Sequence, residues 1–279
     1  MRTFENIVIF SDLDGTFLND EHYAPEQNLK AIEMFAANGG RFGFASGRTV
    51  QALDALVPVS LANIPCILCN GSYIYDFHSE SMLHEIFLEP AVSKALLQKI
   101  DTEFPEIGYR IAVRDGFLIP KMTESLREGL YLFKEQALPV APLETLNASE
   151  WYKIVFHGTA GEITMLKRFI QAFSGPDIFA LSQSNDFLLE VTSCEATKGT
   201  QLLWMKQRLE AEEGKNVTVY AIGDYDNDAD MLSKADFSAC PQNASPEIMA
   251  IAGLHVASNN EGALADLIRR IGDLPPFAR

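Results

Sequence analysis

A short apolar run, Ile7-Val8-Ile9-Phe10, leads into two carboxylates set two residues apart, Asp12 and Asp14, followed by Gly15 and Thr16. The run reads as a buried strand. Two acids at the end of a buried strand oppose each other's ionisation unless a cation offsets them. A strand end with a purely structural task would carry Ser, Asn or Gly at lower cost. The pattern points to a hard divalent cation, to a carboxylate nucleophile beside an acid/base group, or to both.

Strands and helices alternate from there. Pro25–Ala37 carries Leu29, Ile32, Phe35 and Ala36 at helical spacing, with Pro25 suited to a first turn and Gly39-Gly40 closing it. Phe42–Ala45 reads as a second strand, Thr49–Val57 as a short helix and Ile64–Cys69 as a third strand. This order predicts an α/β fold with a doubly wound, Rossmann-like parallel sheet, whose ligands sit beyond the carboxyl ends of the strands. The rhythm then changes. Ser72–Asp76 and Leu83–Leu88 read as a hairpin leading out of the core. Helices are expected over Pro90–Phe104, Glu124–Gln136 and Glu162–Phe173, and a strand over Trp151–His157. Arg114-Asp115-Gly116 and Ser184-Asn185-Asp186 read as turns of two further hairpins. The βα rhythm resumes with a helix from Lys198, strands at Val217–Ile222, Phe237–Cys240 and Leu254–Val256, and intervening helices. The Pro-rich stretch Gly272–Arg279 reads as a loose tail. The expected organisation is a core of residues 1–82 and 190–279 with an inserted α+β domain over 83–189.

The bulk numbers narrow the function. A chain of 279 residues exceeds one small core and fits two domains. Lys and Arg number 22 against 38 Asp and Glu, a net charge of −16. That surface repels nucleic acid and anionic membranes, so neither is an expected partner. An anionic substrate must therefore meet a locally positive site. No apolar run approaches the ~20 residues of a membrane span. Cys66, Cys69, Cys194 and Cys240 are too few for a disulfide framework, and the N-terminus lacks a signal peptide's pattern; both point to the cytoplasm. Cys66 and Cys69 match C-x-x-C but lie on an expected buried strand, where positions three apart face opposite sides, and read as core cysteines. The Asn147-Ala-Ser149 and Asn216-Val-Thr218 triplets have no secretory context and read as chance.

Four clusters follow a core strand or open a helix. Asp12 and Asp14 are the first. In the second, Ser46-Gly47-Arg48, a hydroxyl and helix-start amides suit an oxyanion. The third is Thr197-Lys198-Gly199, with a lysine in a helix's first turn, where the macrodipole disfavours it unless an anion is held beside it. The fourth, Gly223-Asp224-Tyr225-Asp226-Asn227-Asp228, holds more acids than helix capping explains; hard oxygen ligands for Mg²⁺ account for the rest.

Taken in order and spacing, these clusters resemble the haloacid dehalogenase superfamily of phosphohydrolases, in its Cof-type branch. Asn70-Gly71, Asn243-Ala244 and Ser258-Asn-Asn-Glu-Gly262 resemble further signatures of that branch, and the resemblance covers nearly the whole chain. It implies a Rossmann-like core with a large α/β cap as the insert. It implies that Asp12 is the nucleophile and forms an aspartyl-phosphate, and that Asp14 protonates the leaving alcohol and then activates water. Ser46, Gly47, Lys198 and Asn227 would bind the phosphoryl group. Mg²⁺ would be bound by the Asp12 carboxylate, the Asp14 backbone carbonyl and Asp224, with Asp228 in support. Two stretches depart from the branch's usual pattern, Cys194-Glu195-Ala196-Thr197 ahead of the lysine and Cys240-Pro241-Gln242 ahead of Asn243.

The leading reading is a Mg²⁺-dependent phosphatase of small phosphomonoesters, sugar phosphates first, acting as a monomer or homodimer on a small phosphorylated metabolite. A phosphotransferase or mutase would share the four clusters, and a non-catalytic phosphate-binding module is the remaining alternative. Arg110, Arg114, Lys121, Lys153 and His157, on or near strands of the insert, read as solvated strand residues rather than substrate contacts.

Overall fold

The computed structural model describes residues 4–132, 139–183 and 185–273. The chain divides into two units, Met1–His84 with Thr197–Arg279, and Glu85–Ala196.

The first unit opens with β1 (Ile7–Ser11), α1 (Glu26–Ala37), β2 (Arg41–Phe44), α2 (Val50–Asp54), β3 (Cys66–Leu68), β4 (Tyr73–Asp76) and β5 (Ser81–Glu85), which ends at the boundary of the second unit. The second unit holds α3 (Pro90–Glu103), β6 (Gly108–Val113), β7 (Gly116–Lys121), α4 (Glu124–Leu132), β8 (Lys153–His157), α5 (Ala160–Ser174), β9 (Phe179–Ser182) and β10 (Leu188–Ser193). The first unit closes with α6 (Lys198–Glu213), β11 (Thr218–Ile222), α7 (Ala229–Lys234), β12 (Phe237–Pro241), α8 (Pro246–Ile251), β13 (Leu254–Val256) and α9 (Ala263–Asp273).

The main sheet of the first unit runs β13-β12-β11-β1-β2, with every neighbouring pair parallel. Strand β1 is buried from Val8 onward, which is why its apolar residues run without a polar alternation. Val8 and Phe10 pack with Leu202 and Met205 of α6 and with Met231 and Leu232 of α7. Ile9 points to the other face. Burying a side chain of this size contributes ~2 kcal/mol. Phe42 and Phe44 of β2 meet edge to face at 4.9 Å, and Phe17 joins them at 5.2 Å from Phe44. The chain leaves β1 toward β2 on one side and reaches β11 on the other. That reversal places a crevice at the carboxyl ends of β1, β2 and β11.

One expectation needs correction. The third strand does not extend the main sheet as a full member. It touches β2 through a single parallel bridge, Ala45 to Ile67, and pairs antiparallel with β4 in a separate sheet, β3-β4-β5. The cause is the turn that follows. Cys69, Asn70 and Gly71 have φ of 54°, 58° and 93°, three successive left-handed residues that fold the chain straight back. Gly71 is required there, since a Cβ would collide with the Thr197 carbonyl. Cys66 and Cys69 are both buried and in no disulfide, as expected of core cysteines, and burial pushes the Cys66 thiol up to about 12.

In the second unit one antiparallel sheet, β7-β6-β8-β10-β9, turns one face to its two long helices. Tyr109, Ile111, Ile154, Phe156, Leu189 and Val191 alternate onto that face and meet Leu96, Leu97 and Ile100 of α3 and Ile163, Leu166 and Ile170 of α5. Helix α5 starts on a capping box between Thr159 and Glu162. The helix expected to reach Gln136 is described as far as Leu132. Its expected last residues, Ser184 of the second turn and residues 274–279 of the tail lie outside the described residues.

Candidate active site

The crevice of the first unit gathers the four clusters. Asp12 follows β1 directly, and its backbone N–H donates to Ile222 O at 2.9 Å, continuing the parallel ladder. Ser46 follows β2, Asp224 follows β11, and Lys198 opens α6. Thr197 caps that helix, its hydroxyl accepting from Thr200 N at 3.0 Å.

Lys198 Nζ donates to Asp12 Oδ1 and to Asp228 Oδ1, each at 2.6 Å. Lysine, Asp12 and Asp228 are 1%, 6% and 0% exposed. Two carboxylates thus explain a lysine in a first helical turn, where the macrodipole alone would oppose it. Burial works against the ammonium's charge, but Asp12 and Asp228 outweigh it and hold its pKa above the ordinary range. Burial pushes the Asp12 carboxyl well above the carboxylate range; Lys198 pulls it down, while Asp228, Asp224 and Asp14 add to the rise. Asp224 is pushed up to about 7 by burial and by Asp228, against the pull of the Thr16 hydroxyl and Lys198.

These shifts carry a charge count. Carboxylate oxygens of Asp12, Asp224 and Asp228 lie within 4.8 Å of one another. With all three ionised, one ammonium against three carboxylates would leave an excess of two negative charges in a buried cleft, and that repulsion is part of why Asp12 and Asp224 are raised. A small divalent cation with oxygen ligands fits that excess, and the donor set is the hard one that Mg²⁺ takes. The three acids differ in what the protein asks of them. Asp228 accepts on Oδ2 from the backbone N–H groups of Asp224 and Tyr225, at 3.0 and 3.3 Å, as well as from Lys198. Asp224 accepts on Oδ1 from Thr16 Oγ1 at 2.7 Å, and its carboxylate lies over Gly15, whose φ is +77°. A Cβ at Gly15 would run into that carboxylate.

Beside this cluster stands a hydroxyl and amide pocket. Ser46 is buried, its N–H donates to Ile67 O, and its hydroxyl accepts from Arg48 N at 3.2 Å. Asn70 N–H donates to Ser46 O, and the Asn70 side-chain oxygen accepts from Asn227 Nδ2 at 3.3 Å. The same oxygen lies 2.7 Å from where a Cβ on Gly47 would stand, so glycine lets the two loops meet. Ser46, Gly47 and Asn227 are therefore neighbours through Asn70, which the sequence reading took only as a turn.

Asp14 lies outside the acidic cluster. Both of its carboxylate oxygens accept from Arg48, Nε to Oδ2 and Nη2 to Oδ1, at 2.7 Å each. His22 Nδ1 stands 3.7 Å from Oδ1. The two C-terminal signatures brace the same loop. Asn243 Nδ2 donates to Gly15 O at 2.7 Å, Asn243 Oδ1 accepts from Asn259 N, and Asn259 Nδ2 donates to Leu18 O and to Asp20. Thr16, Arg48 and Asn70 are thus residues whose tasks the sequence reading missed. Each stood inside a quoted motif, and the signal that could have raised Arg48 was a fixed cation one residue beyond an oxyanion pocket.

The second unit corrects another expectation. Arg110, Lys153 and His157 are not solvated; they are 6%, 2% and 2% exposed. With Glu190 they occupy the sheet face opposite the helices α3 and α5, as the register of β6, β8 and β10 dictates. Lys153 Nζ donates to Glu190 Oε1 at 2.6 Å, and Arg110 lies 4.4 Å over the Phe117 ring. Arg114 and Lys121 are more open, the first paired with Glu85 and the second donating to Phe104 O.

The sequence profile of the haloacid dehalogenase-like hydrolases matches residues 9–268. The chain is 23% identical to 5-amino-6-(5-phospho-D-ribitylamino)uracil phosphatase YbjI of Escherichia coli, covering 95% of each. Among solved structures, TM0651 from Thermotoga maritima superposes with a TM-score of 0.79 at 21% identity, over 94% of this chain and 96% of that one. The subclass IIB sugar phosphatase BT4131 superposes with a TM-score of 0.79 at 20% identity, over 96% of this chain and 99% of that one. No described helix is long and apolar enough to cross a membrane.

Proposed function

The chain belongs to the haloacid dehalogenase-like hydrolases, as a phosphatase of that family, and from this premise we propose that it hydrolyses small phosphomonoesters, sugar phosphates first, with Mg²⁺. The observation that carries the proposal is the buried Lys198 bridging Asp12 and Asp228, with Asp224 alongside. A buried carboxylate, a fixed cation and an acidic cluster suited to a divalent cation stand within one cleft, which supports a reading of phosphoryl transfer.

In this reading an Asp12 carboxylate oxygen attacks phosphorus in line with the ester oxygen. The P–O ester bond breaks, Asp14 gives its proton to the leaving alcohol, and Asp12 carries an aspartyl-phosphate. Asp14 then takes a proton from a water molecule that attacks phosphorus, which frees Asp12 and inorganic phosphate. Lys198 Nζ and the Ser46 hydroxyl face the equatorial oxygens, where negative charge gathers, and the Gly47 amide and Asn227 complete the cradle. The carboxylates of Asp12 and Asp224 and the Asp14 carbonyl, with Asp228 in support, would hold Mg²⁺, which would neutralise charge on the phosphoryl group. Residues 83–189 serve as the cap that selects the ester and limits water. The relation to a phosphatase of a phosphorylated ribitylamino compound and to a sugar phosphatase favours polyol and sugar esters. The setting is the cytoplasm, where four free thiols persist reduced.

The test is phosphate release from a panel of sugar, nucleotide and cofactor phosphates, with and without Mg²⁺. Turnover of several alkyl esters, lost in Asp12→Asn and on chelation, is the expected result. No release from any ester, or an Asp12→Asn variant as active as the parent, sinks the proposal. Labelled water separates hydrolysis from transfer to a second sugar, since only hydrolysis puts the label in the released phosphate.

A further inference from the structure

Asp14 and Arg48 are joined across the two loops that leave β1 and β2. Nε and Nη2 of one guanidinium meet the two oxygens of one carboxylate, each at 2.7 Å. This is the forked geometry that fixes a carboxylate's plane as well as its position. The Arg48 backbone is itself anchored on both sides. Its N–H donates to Ser46 Oγ at 3.2 Å, and its C=O accepts from Cys69 N at 3.0 Å. The left-handed turn at Cys69-Asn70-Gly71 thus sets the root of the arginine, and the arginine sets Asp14. The Asp14 side chain is 41% exposed, so without this fork it would sample several rotamers. His22 stands farther off, at 3.7 Å, and is 64% exposed, too open to fix the plane.

We infer that Arg48 is the positioning residue for the acid/base step: it holds the Asp14 carboxyl in the one orientation from which a proton can pass to the leaving oxygen. The inference rests on the proposed function, in which Asp14 is that acid/base. Each carboxylate oxygen keeps a second lone pair when the fork is made. The outward lone pair of one oxygen can carry the proton while the guanidinium still defines the plane. The proton moves from Asp14 to the ester oxygen as the P–O bond breaks, and water returns one to Asp14 in the second step. Arg48 touches neither reacting atom. Its effect on the first step, read as kcat/KM, therefore scales with how much the leaving group needs a proton, while its effect on the second step is common to all esters and enters kcat alone.

That dependence separates positioning from simple phosphate binding. p-Nitrophenolate leaves without protonation, whereas a sugar alkoxide does not. The experiment measures kcat and KM of wild type, Arg48→Met, Arg48→Lys, Asp14→Asn and Asp14→Asn/Arg48→Met. The substrates are p-nitrophenyl phosphate and the alkyl phosphate turned over fastest in the panel above. Arg48→Met is expected to lose about tenfold or more in kcat/KM on the alkyl ester, within the range of general acid catalysis, and less than about threefold on p-nitrophenyl phosphate. Arg48→Lys keeps the charge without the fork and is expected to show the same asymmetry with KM near wild type. The double variant is expected to be no slower than Asp14→Asn alone, because both changes remove one step. Equal losses of kcat/KM on both esters, a full additive loss in the double variant, or wild-type kcat/KM in Arg48→Lys on the alkyl ester overturns the inference. Asp12→Asn keeps the two failures apart. If it retains turnover of p-nitrophenyl phosphate, the proposed function itself falls and this inference with it. If it is inactive while Arg48→Met fails the asymmetry, only the inference falls.

Discussion

Lys198 and Asp12 form an ion pair of 2.6 Å with both groups buried, and Asp228 closes on the same ammonium at the same distance. Three charges share a volume in which none could stand alone.

Removing the ammonium therefore harms both stability and chemistry. Lys198→Met leaves Asp12 and Asp228 buried with no cation, and unfolding in urea is expected to show a loss of about 3–5 kcal/mol. Adding Mg²⁺ is expected to restore part of that stability but not phosphate release. A variant as stable as the parent in chelator contradicts this account.

Metal binding is read most directly through stability. A ligand that binds only the folded chain adds about 2.7 kcal/mol at a hundredfold excess over its Kd. Mg²⁺ is expected to raise the melting temperature of the wild-type protein and to do so far less in Asp224→Asn. The same shift in both proteins removes Asp224 from the site.

Gly15 serves the acidic cluster by what it lacks. Gly15→Ala forces a side chain into a left-handed backbone, at about 1–2 kcal/mol, and drives its Cβ against the Asp224 carboxylate. The Mg²⁺ concentration for half-maximal activity is expected to rise by about tenfold or more, the effect of disturbing a ligand's support. Unchanged metal dependence would show that Asp224 can move aside.

His157 in the second unit sets a pH limit. Burial, with Arg110 adding to it, pushes the imidazole down to about 3, and Nε2 has no hydrogen-bond partner. Lys153 and Glu190 share its sheet face, and Gly129 of α4 leaves room for the ring. Below pH 6.5 the unfolded chain takes up a proton that the folded chain refuses, so stability falls as pH drops. Between pH 7 and pH 5 the wild type is expected to lose about 2 kcal/mol more than His157→Asn. Parallel losses in urea titrations of the two proteins would show that His157 is protonated when folded.

How far the sequence could be read follows from where each signal lives. Asp12, Ser46, Lys198 and Asp224 were legible because strand ends and helix starts are local patterns, and a parallel sheet brings all such ends to one edge. The side-chain target of Arg48 was not, because Asp14 is 34 positions away and nothing local marks the pair. The sheet membership of β3 turned on three left-handed residues, of which only Gly71 advertises that conformation. Arg110, Lys153 and His157 looked solvated because a lone charge on a strand usually is. Their burial depends on Phe117 and Glu190, partners from other strands that no period in the sequence reveals.

The brace from Asn243 to Gly15 spans 228 positions, and Asn259 reaches back to Leu18 over 241. The loop carrying Asp14 thus depends on residues translated long after it. A ribosome-bound chain holds both acids long before it holds the clamp that shapes them. The clamp would then form only once Asn259 has been made, and a message cut short before Asn243 would yield a product with both acids but no means to set them.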